Sequence, residues 1–373
     1  MRIKRLLPAL IVLLGTGLLL LSVSRPPLSM ERDLSLPFAV DLPLREALYY
    51  AALAPNAHNT QMWIVAVSPD AETLRVVLDE ERCLPAVDPE RVESYLSMGA
   101  FLEYLRRAMI ALGYSIEVGV ADPQSTNDGT VAVVGYEKRE KASPDLPTLM
   151  LMERRHTDKR PYQPVEIPGA KLATLLGRYR ETLRYYPKGS AEYAYLAGST
   201  IEAMAVQGAS PAKRDELARW LRFSDEETLR RRDGLPAEQL GISGLKKSLY
   251  YAFVDRERAK GDKFAAQSVS LSRRQTDACS GFFVLLGEPG LRGAIETGME
   301  LAAFWLDAAE IGVSLQPLSQ MLEEEPFRSE VSTRLGVGGA VRMILRAGIV
   351  DEYGSNPKIR RNISDFVFLD DTI

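Results

Sequence analysis

Two fifteen-residue stretches far apart in the chain share one pattern: "GAFLEYLRRAMIALG", Gly99 to Gly113, and "GMELAAFWLDAAEIG", Gly298 to Gly312. Each is a largely apolar helical run between two glycines. The closing glycine suits a helix C-terminus, where a left-handed residue satisfies the last carbonyls. Each run is followed by a strand-like segment, Ser115–Val120 in one half and Val313–Gln316 in the other. A further strand follows each, Val131–Val134 and Val341–Ile349. Helix and strands at matching positions predict one α+β unit used twice.

The rest of the first unit reads locally. Asp41 can cap a helix whose apolar positions, Leu44, Ala47, Leu48, Ala51 and Ala52, keep helical spacing until Pro55. Trp63–Val67 and Leu74–Leu78 read as strands, and Val92 to Leu112 as a helix. Between the repeats, Ser210 to Phe264 is rich in both charge signs with a narrow apolar edge at Leu217, Trp220 and Leu221. Such an insertion reads either as a peripheral helical hairpin or as a lid over a site. The division expected is 34–145 for the first unit and 146–373 for the second, with 210–264 as the insertion.

The N-terminus has a different composition. Arg2, Lys4 and Arg5 precede an apolar run from Leu6 to about Ser24, long enough to span a bilayer. It reads either as an uncleaved anchor or as a signal peptide cleaved after Ser22-Val23-Ser24, so residues 1–33 stand outside the fold. The basic flank predicts a cytoplasmic N-terminus and a membrane-anchored or exported body on the extracytoplasmic side. The net charge of −4 gives no footprint for nucleic acid. His58 and His156 are isolated, so no metal site is expected, and Cys83 and Cys279 fit no motif.

Four segments carry candidate chemistry. "APNAHNTQMW", Ala54 to Trp63, gathers Asn56, His58, Asn59 and Gln61 in one helix-to-strand turn. Carboxamides can donate to and accept from the edge of a heteroaromatic ring together, although Asn also populates turns for backbone reasons. "MERRHTDKRPY" sets Arg154, Arg155, Lys159 and Arg160 around Thr157, which reads as a phosphate clamp or as a solvated basic face. "VSLQPLSQ" places Pro317, Ser319 and Gln320 in a turn, and "NPKIRRNISDF" supplies Lys358, Arg360 and Arg361.

In this order the segments resemble the nitroreductase-like flavoproteins, and in particular the Acg-like branch in which two nitroreductase units are fused. "APNAHNTQMW" is similar to that branch's Ala-Pro-Ser-x-His-Asn-Thr-Gln-Pro-Trp turn, with Asn56 where Ser is usual and Met62 where Pro is usual. "RRHTDKRPY", "GVSLQPLSQ", "ILRAGI" and "PKIRRNISDF" resemble later family segments in sequence order. The resemblance implies an α+β pseudo-dimer within one chain, with one FMN between the halves. Arg154, Arg155, Thr157 and Arg160 would hold the phosphate, helped by Arg360 or Arg361. Asn56, His58, Asn59 and Gln61 would line the isoalloxazine, and the Pro317–Gln320 turn would sit near N5. It implies an FMN-dependent oxidoreductase using NAD(P)H and a small-molecule acceptor, or an FMN-sequestering protein with little turnover. No protein side chain is expected to act as a catalytic acid or base.

Overall fold

The computed structural model describes residues 28, 30–70, 72–126, 128–139 and 143–370. The anchor or signal reading of the N-terminal run thus lies almost wholly outside the described residues. Among the described residues no helix is long and apolar enough to cross a membrane.

The first unit runs α1 (Leu42–Ala52), β1 (Trp63–Val67), β2 (Thr73–Leu78), α2 (Val92–Ala111), β3 (Tyr114–Val120) and β4 (Thr130–Lys138). After α3 (Leu146–Arg154) the second runs α4 (Gly169–Arg178), β5 (Leu183–Pro187), β6 (Gly281–Gly287), α11 (Gly290–Glu310), β7 (Ser314–Pro317) and β8 (Ala340–Gly348). Strand order in the first sheet is β3-β4-β2-β1, and in the second β7-β8-β6-β5. Substituting β5 to β8 for β1 to β4 turns one order into the other. All these pairings are antiparallel, and each sheet slips register once in its central pair, at Val76/Val77 and at Leu285/Leu286. The echo seen in the sequence is therefore a repeat of topology, with α2 and α11 as its equivalent helices.

The C-terminal strand β9 (Val367–Leu369) departs from that scheme. It crosses back and pairs in parallel with β1, closing the first sheet's edge. The tail thus belongs spatially to the first unit although it follows the second.

The two sheets are buried differently, and their strands say why. In β2 burial alternates: Leu74, Val76 and Leu78 point inward while Thr73, Arg75 and Val77 are partly exposed, the pattern of a sheet with one wet face. β6 is apolar throughout. Phe283 and Leu285 pack toward Trp305 and Phe304 of α11, while Phe282, Val284 and Leu286 pack on the opposite side. That opposite side is covered by α5 (Ala191–Ala209) and α12 (Phe327–Leu335). α12 lies between β7 and β8, whereas α5 opens the long insertion between β5 and β6, which continues through α6 (Pro211–Trp220), α7 (Asp225–Arg231), α8 (Gly244–Phe253), α9 (Arg256–Ala259) and α10 (Asp262–Asp277).

The units meet where α2 crosses α11. A Cβ added at Gly99 would lie 1.9 Å from the Ile295 carbonyl oxygen, and one at Gly298 would lie 2.1 Å from the Leu96 carbonyl oxygen. The first glycine of each repeat is thus the point of backbone-to-backbone contact, and no side chain fits there. Burying both faces of the crossing joins Phe101, Leu102 and Leu105 to Ala294, Ile295, Ala302 and Leu306 in one core.

Replacing Gly99 or Gly298 with Ala should force the helices apart and destabilise the chain by about 1–3 kcal/mol or more, the cost of overpacking a filled core. Gly177→Ala is the control, because a Cβ there meets nothing within 4 Å and an exposed helical Gly→Ala gains about 0.5–1 kcal/mol. Thermal or urea unfolding of the three variants checks the ordering; equal midpoints would show that the crossing can relax.

Candidate functional site

The amide-rich turn is a strained element. After α1 ends at Leu53, residues Ala57–Asn59 make a single 3-10 turn, and His58, Asn59 and Gln61 take φ values of +47°, +53° and +56°. Three non-glycine residues in the left-handed region within four positions need tertiary contacts to hold them. Those contacts are the carboxamides themselves. Asn56 Oδ1 accepts from Gln61 N at 2.9 Å. Asn59 Nδ2 donates to Gly234 O at 3.0 Å and Ile359 O at 3.1 Å. Gln61 Nε2 donates to Arg232 O at 2.9 Å, and its Oε1 accepts from Arg361 N at 2.8 Å. The amides therefore fasten the turn to the insertion on one side and to the C-terminal tail on the other. Asn59 Oδ1 and His58 Nδ1 stay buried without a partner. Burial pushes the His58 imidazole down to about 4, so it is neutral at physiological pH.

The basic cluster divides. Arg155 turns inward and is 2% exposed. Its Nε donates to Tyr104 Oη at 2.7 Å and its Nη2 to Leu53 O at 2.8 Å, with the guanidinium 4.9 Å from the Trp305 ring centroid. Arg360 comes from the tail to the same place, where its guanidinium donates to Ala52 O, Leu53 O and Ala54 O. Two guanidiniums thus converge on the C-terminal carbonyls of α1, the negative end of that helix. Neither makes an ion pair among the described residues. Burial, reinforced by the neighbouring Arg155 charge, pushes Arg360 down to about 9. Arg361 is spent on Gln61 O and Trp63 O at 2.7 and 2.8 Å.

Arg154 and Arg160 are exposed and point elsewhere. Arg154 lies over the Tyr353 ring, and Arg160 grips Asp158 through both oxygens, at 2.9 and 2.7 Å. Thr157 is half-buried between them. The structure thus brings Arg155 and Arg360 together with the Asn59 turn and leaves Arg154 and Arg160 outside.

Two further features complete the site. Lys159 received no separate role in the sequence, yet it faces His58 from the second unit. Burial, with Arg346 nearby, pushes its ammonium from 10.5 down to about 8, and it makes no ion pair among the described residues. Arg346 of β8, fully buried over the Tyr162 ring, donates to Asp158 O and Arg160 O at 3.0 and 2.8 Å and so fixes the path of the cluster. The second feature is a carboxyl pair. Ser319 Oγ donates to Glu323 Oε1 at 3.0 Å, and Glu323 faces Glu93 at the start of α2. Burial and the opposing carboxylate raise Glu93 well above the usual carboxylate range, and burial raises Glu323 as well. Through Glu93 O, Ser97 Oγ and Ala57 N, at 2.8 and 3.1 Å, this pair links the 317–320 turn to the amide turn. Gln320 Oε1 is buried without a partner, and Pro317 ends β7. A lone lysine inside a basic run and two glutamates far apart give no pattern that sequence reading can catch.

The insertion is seated on this site. Trp220 packs on Leu84 and Val87, and Glu216 accepts from Ala86 N and Val87 N at 2.8 and 3.0 Å. Asp233 pairs with Arg82 at 3.0 Å and with buried Arg222. Gly234 N also donates to Asn59 O at 3.0 Å. A cavity of about 840 Å³ lies elsewhere, beside Asp41, Tyr114 and Lys138, whose polar groups pair with one another.

Lys159 carries a pH signature. The folded ammonium releases its proton near 8 while the unfolded one holds it to about 10.5, so the stability penalty is full below 8 and fades as pH rises through that window. Lys159→Met should therefore raise stability near neutral pH and flatten the rise above pH 8. Urea midpoints across the range measure this, and a destabilised variant at neutral pH would reveal a counter-charge.

No protein-family model matches the chain. It is 25% identical over 312 residues to a Mycobacterium tuberculosis protein carrying the name NAD(P)H nitroreductase Rv3131, covering 82% of this chain and 84% of the relative. It is 23% identical over 323 residues to a Serratia protein carrying the name NAD(P)H nitroreductase PigM, covering 82% and 88%. A third relative, the M. tuberculosis protein named NAD(P)H nitroreductase acg, is 35% identical over 75 residues, 20% of this chain and 22% of its own. Two relatives aligned over most of both chains, on a mixed α+β fold with two sheets, agree with the motif order: the chain is similar along most of its length to proteins named NAD(P)H nitroreductase, which supports its resemblance to the nitroreductase superfamily and its Acg-like branch.

Proposed function

We propose that the chain is an FMN-dependent oxidoreductase of the nitroreductase type, linked to NAD(P)H. The observation that carries this reading is the convergence of Arg155 and Arg360 on the carbonyls at the end of α1, neither of them in an ion pair among the described residues, with Lys159 of the same arginine segment facing His58 of the amide turn. Buried cations without counter-charge are costly, and helix-end carbonyls offset only part of that cost. The phosphate of a mononucleotide would supply the missing anion. The unsatisfied acceptors Asn59 Oδ1 and Gln320 Oε1 and the unpartnered His58 Nδ1 suit the mixed donor and acceptor edge of an isoalloxazine. The residues present thus fit FMN, which when bound supplies hydride exchange at N5.

In this reading residues 34–145 and 146–373 are the two units of a pseudo-dimer. The second unit and the tail hold the anionic end, through Arg155, Lys159 and Arg360. The first unit orients the ring, through the turn at Asn56, His58, Asn59 and Gln61. Only one such site is expected per chain, because the second unit has no amide turn and the first no arginine cluster. The N-terminal run would anchor or export the body to the extracytoplasmic side.

A second reading, an FMN-sequestering protein with little turnover, is favoured by the seating of the insertion. Asn59, Gln61, Glu216 and Asp233 all hold it down, and a nicotinamide needs an open face to stack on the flavin.

Purified chain should be yellow, with one FMN per chain. Anaerobic mixing with NADPH or NADH should bleach the flavin band within the turnover time of an enzyme. Bleaching by dithionite but by neither nucleotide would instead establish the store. Glu216→Ala, which frees Ala86 N and Val87 N, should speed nucleotide reduction without loss of flavin; an unchanged rate would show that the insertion does not gate the site. A colourless chain that stays empty in excess FMN overturns both readings.

A further inference from the structure

α8 is a short helix with two unlike faces. Lys247, Ser248 and Tyr250 point inward, Lys247 pairing with Asp225 and Glu238 at 2.7 and 2.5 Å. The opposite edge carries Leu245, Leu249 and Phe253, four residues apart and so on one stripe, with exposures of 38%, 47% and 65%. Nothing in the described chain covers this stripe. Isolated exposed apolar residues are ordinary, but three in register on one helix face mark a contact surface.

The position of α8 says what that surface meets. Leu28, the first described residue after the apolar run Leu6–Ser24, donates its backbone N–H to Glu238 Oε1 at 3.2 Å. Glu238 is the same carboxylate that holds Lys247 of α8. The chain therefore leaves the N-terminal run beside this helix. A second exposed apolar pair, Leu146 and Met150, lies on α3.

We infer that the Leu245–Leu249–Phe253 edge of α8 rests on the lipid surface entered by the N-terminal run. A helix with its apolar edge in the headgroup boundary and its polar face toward the protein is a known way of lying on a bilayer. The contact is apolar rather than electrostatic. Lys246 is the exposed cation on the helix, and beyond its end Asp255 and Glu257 pair with Arg258 and Lys260. Zwitterionic lipid is therefore sufficient. Because α8 belongs to the insertion that sits on the amide turn, the bilayer touches the element that covers the candidate site. The inference rests on the anchor reading of the N-terminal run, and the test separates the two.

The full chain, carrying Leu249→Cys or Phe253→Cys labelled with nitrobenzoxadiazole, is mixed with phosphatidylcholine vesicles containing doxyl-labelled lipid. Native Cys83 and Cys279 are buried, which keeps the label at the introduced site. Glu117→Cys, on an exposed position of β3, is the control. The expected result is flotation with the vesicles, emission shifted to shorter wavelength and strong quenching at 249 and 253, with none at 117. Flotation without quenching at 249 and 253 overturns the α8 contact and keeps the anchor. Short-wavelength emission in detergent as well, insensitive to doxyl lipid, shows the stripe covered by protein and also overturns it. A chain that neither floats nor is quenched overturns both.

Discussion

Two backbones touch where α2 crosses α11, and the rest of the molecule is arranged around that contact. With carbonyl oxygens 1.9 and 2.1 Å from where a Cβ would stand at Gly99 and Gly298, the helices approach as closely as backbone allows. Close approach lets the flanking Leu, Phe and Trp side chains reach both sheets. Trp305 shows the effect: it is fully buried in the second unit's core while its ring lies against Arg155. A crossing held this tightly fixes the α1 C-terminus of one unit against the arginine segment of the other.

The candidate site follows from three chain segments brought to that junction. The strained turn after α1 cannot hold three left-handed residues unaided, so its carboxamides bond outward to the insertion and the tail. The tail arrives because β9 pairs with β1, which carries Arg360 and Arg361 across to the first unit. The arginine segment arrives because Arg346 pins its carbonyls from beneath. Each link is a hydrogen bond between residues remote in sequence, and together they leave cationic groups in excess.

Much of this was legible beforehand because it is local. Glycine-bounded helices, alternating strands and the Asp41 cap are set by residues within a few positions of one another, and the helices and strands named from them are present within a few residues of the expected limits. β4 runs longer, to Lys138, because pairing with both β2 and β3 sustains it beyond its apolar stretch. The region from 165 to 209 escaped, since β5 repeats the place of β1 in the topology without a matching sequence pattern. The Asn59 turn and the arginine cluster were both marked as candidate site segments; the structure joins Asn59 to Ile359 O and brings Arg155 to the end of α1. Which arginine would turn inward was not readable, because Arg154 and Arg155 are adjacent and differ only in where the end of α3 points them.

What the sequence by itself determined is the repeated α+β unit, the family motif order and the chemical character of the segments, because periodicity, turn residues and charge act over short distances. Only the tertiary structure decided that the insertion is fastened to the amide turn, that the tail returns to the first sheet, and that Arg155 and Arg360 meet at the Leu53 carbonyl without an ion pair among the described residues. Those outcomes depend on how two cores pack across a glycine crossing, and no local pattern encodes which distant backbone groups will then need partners.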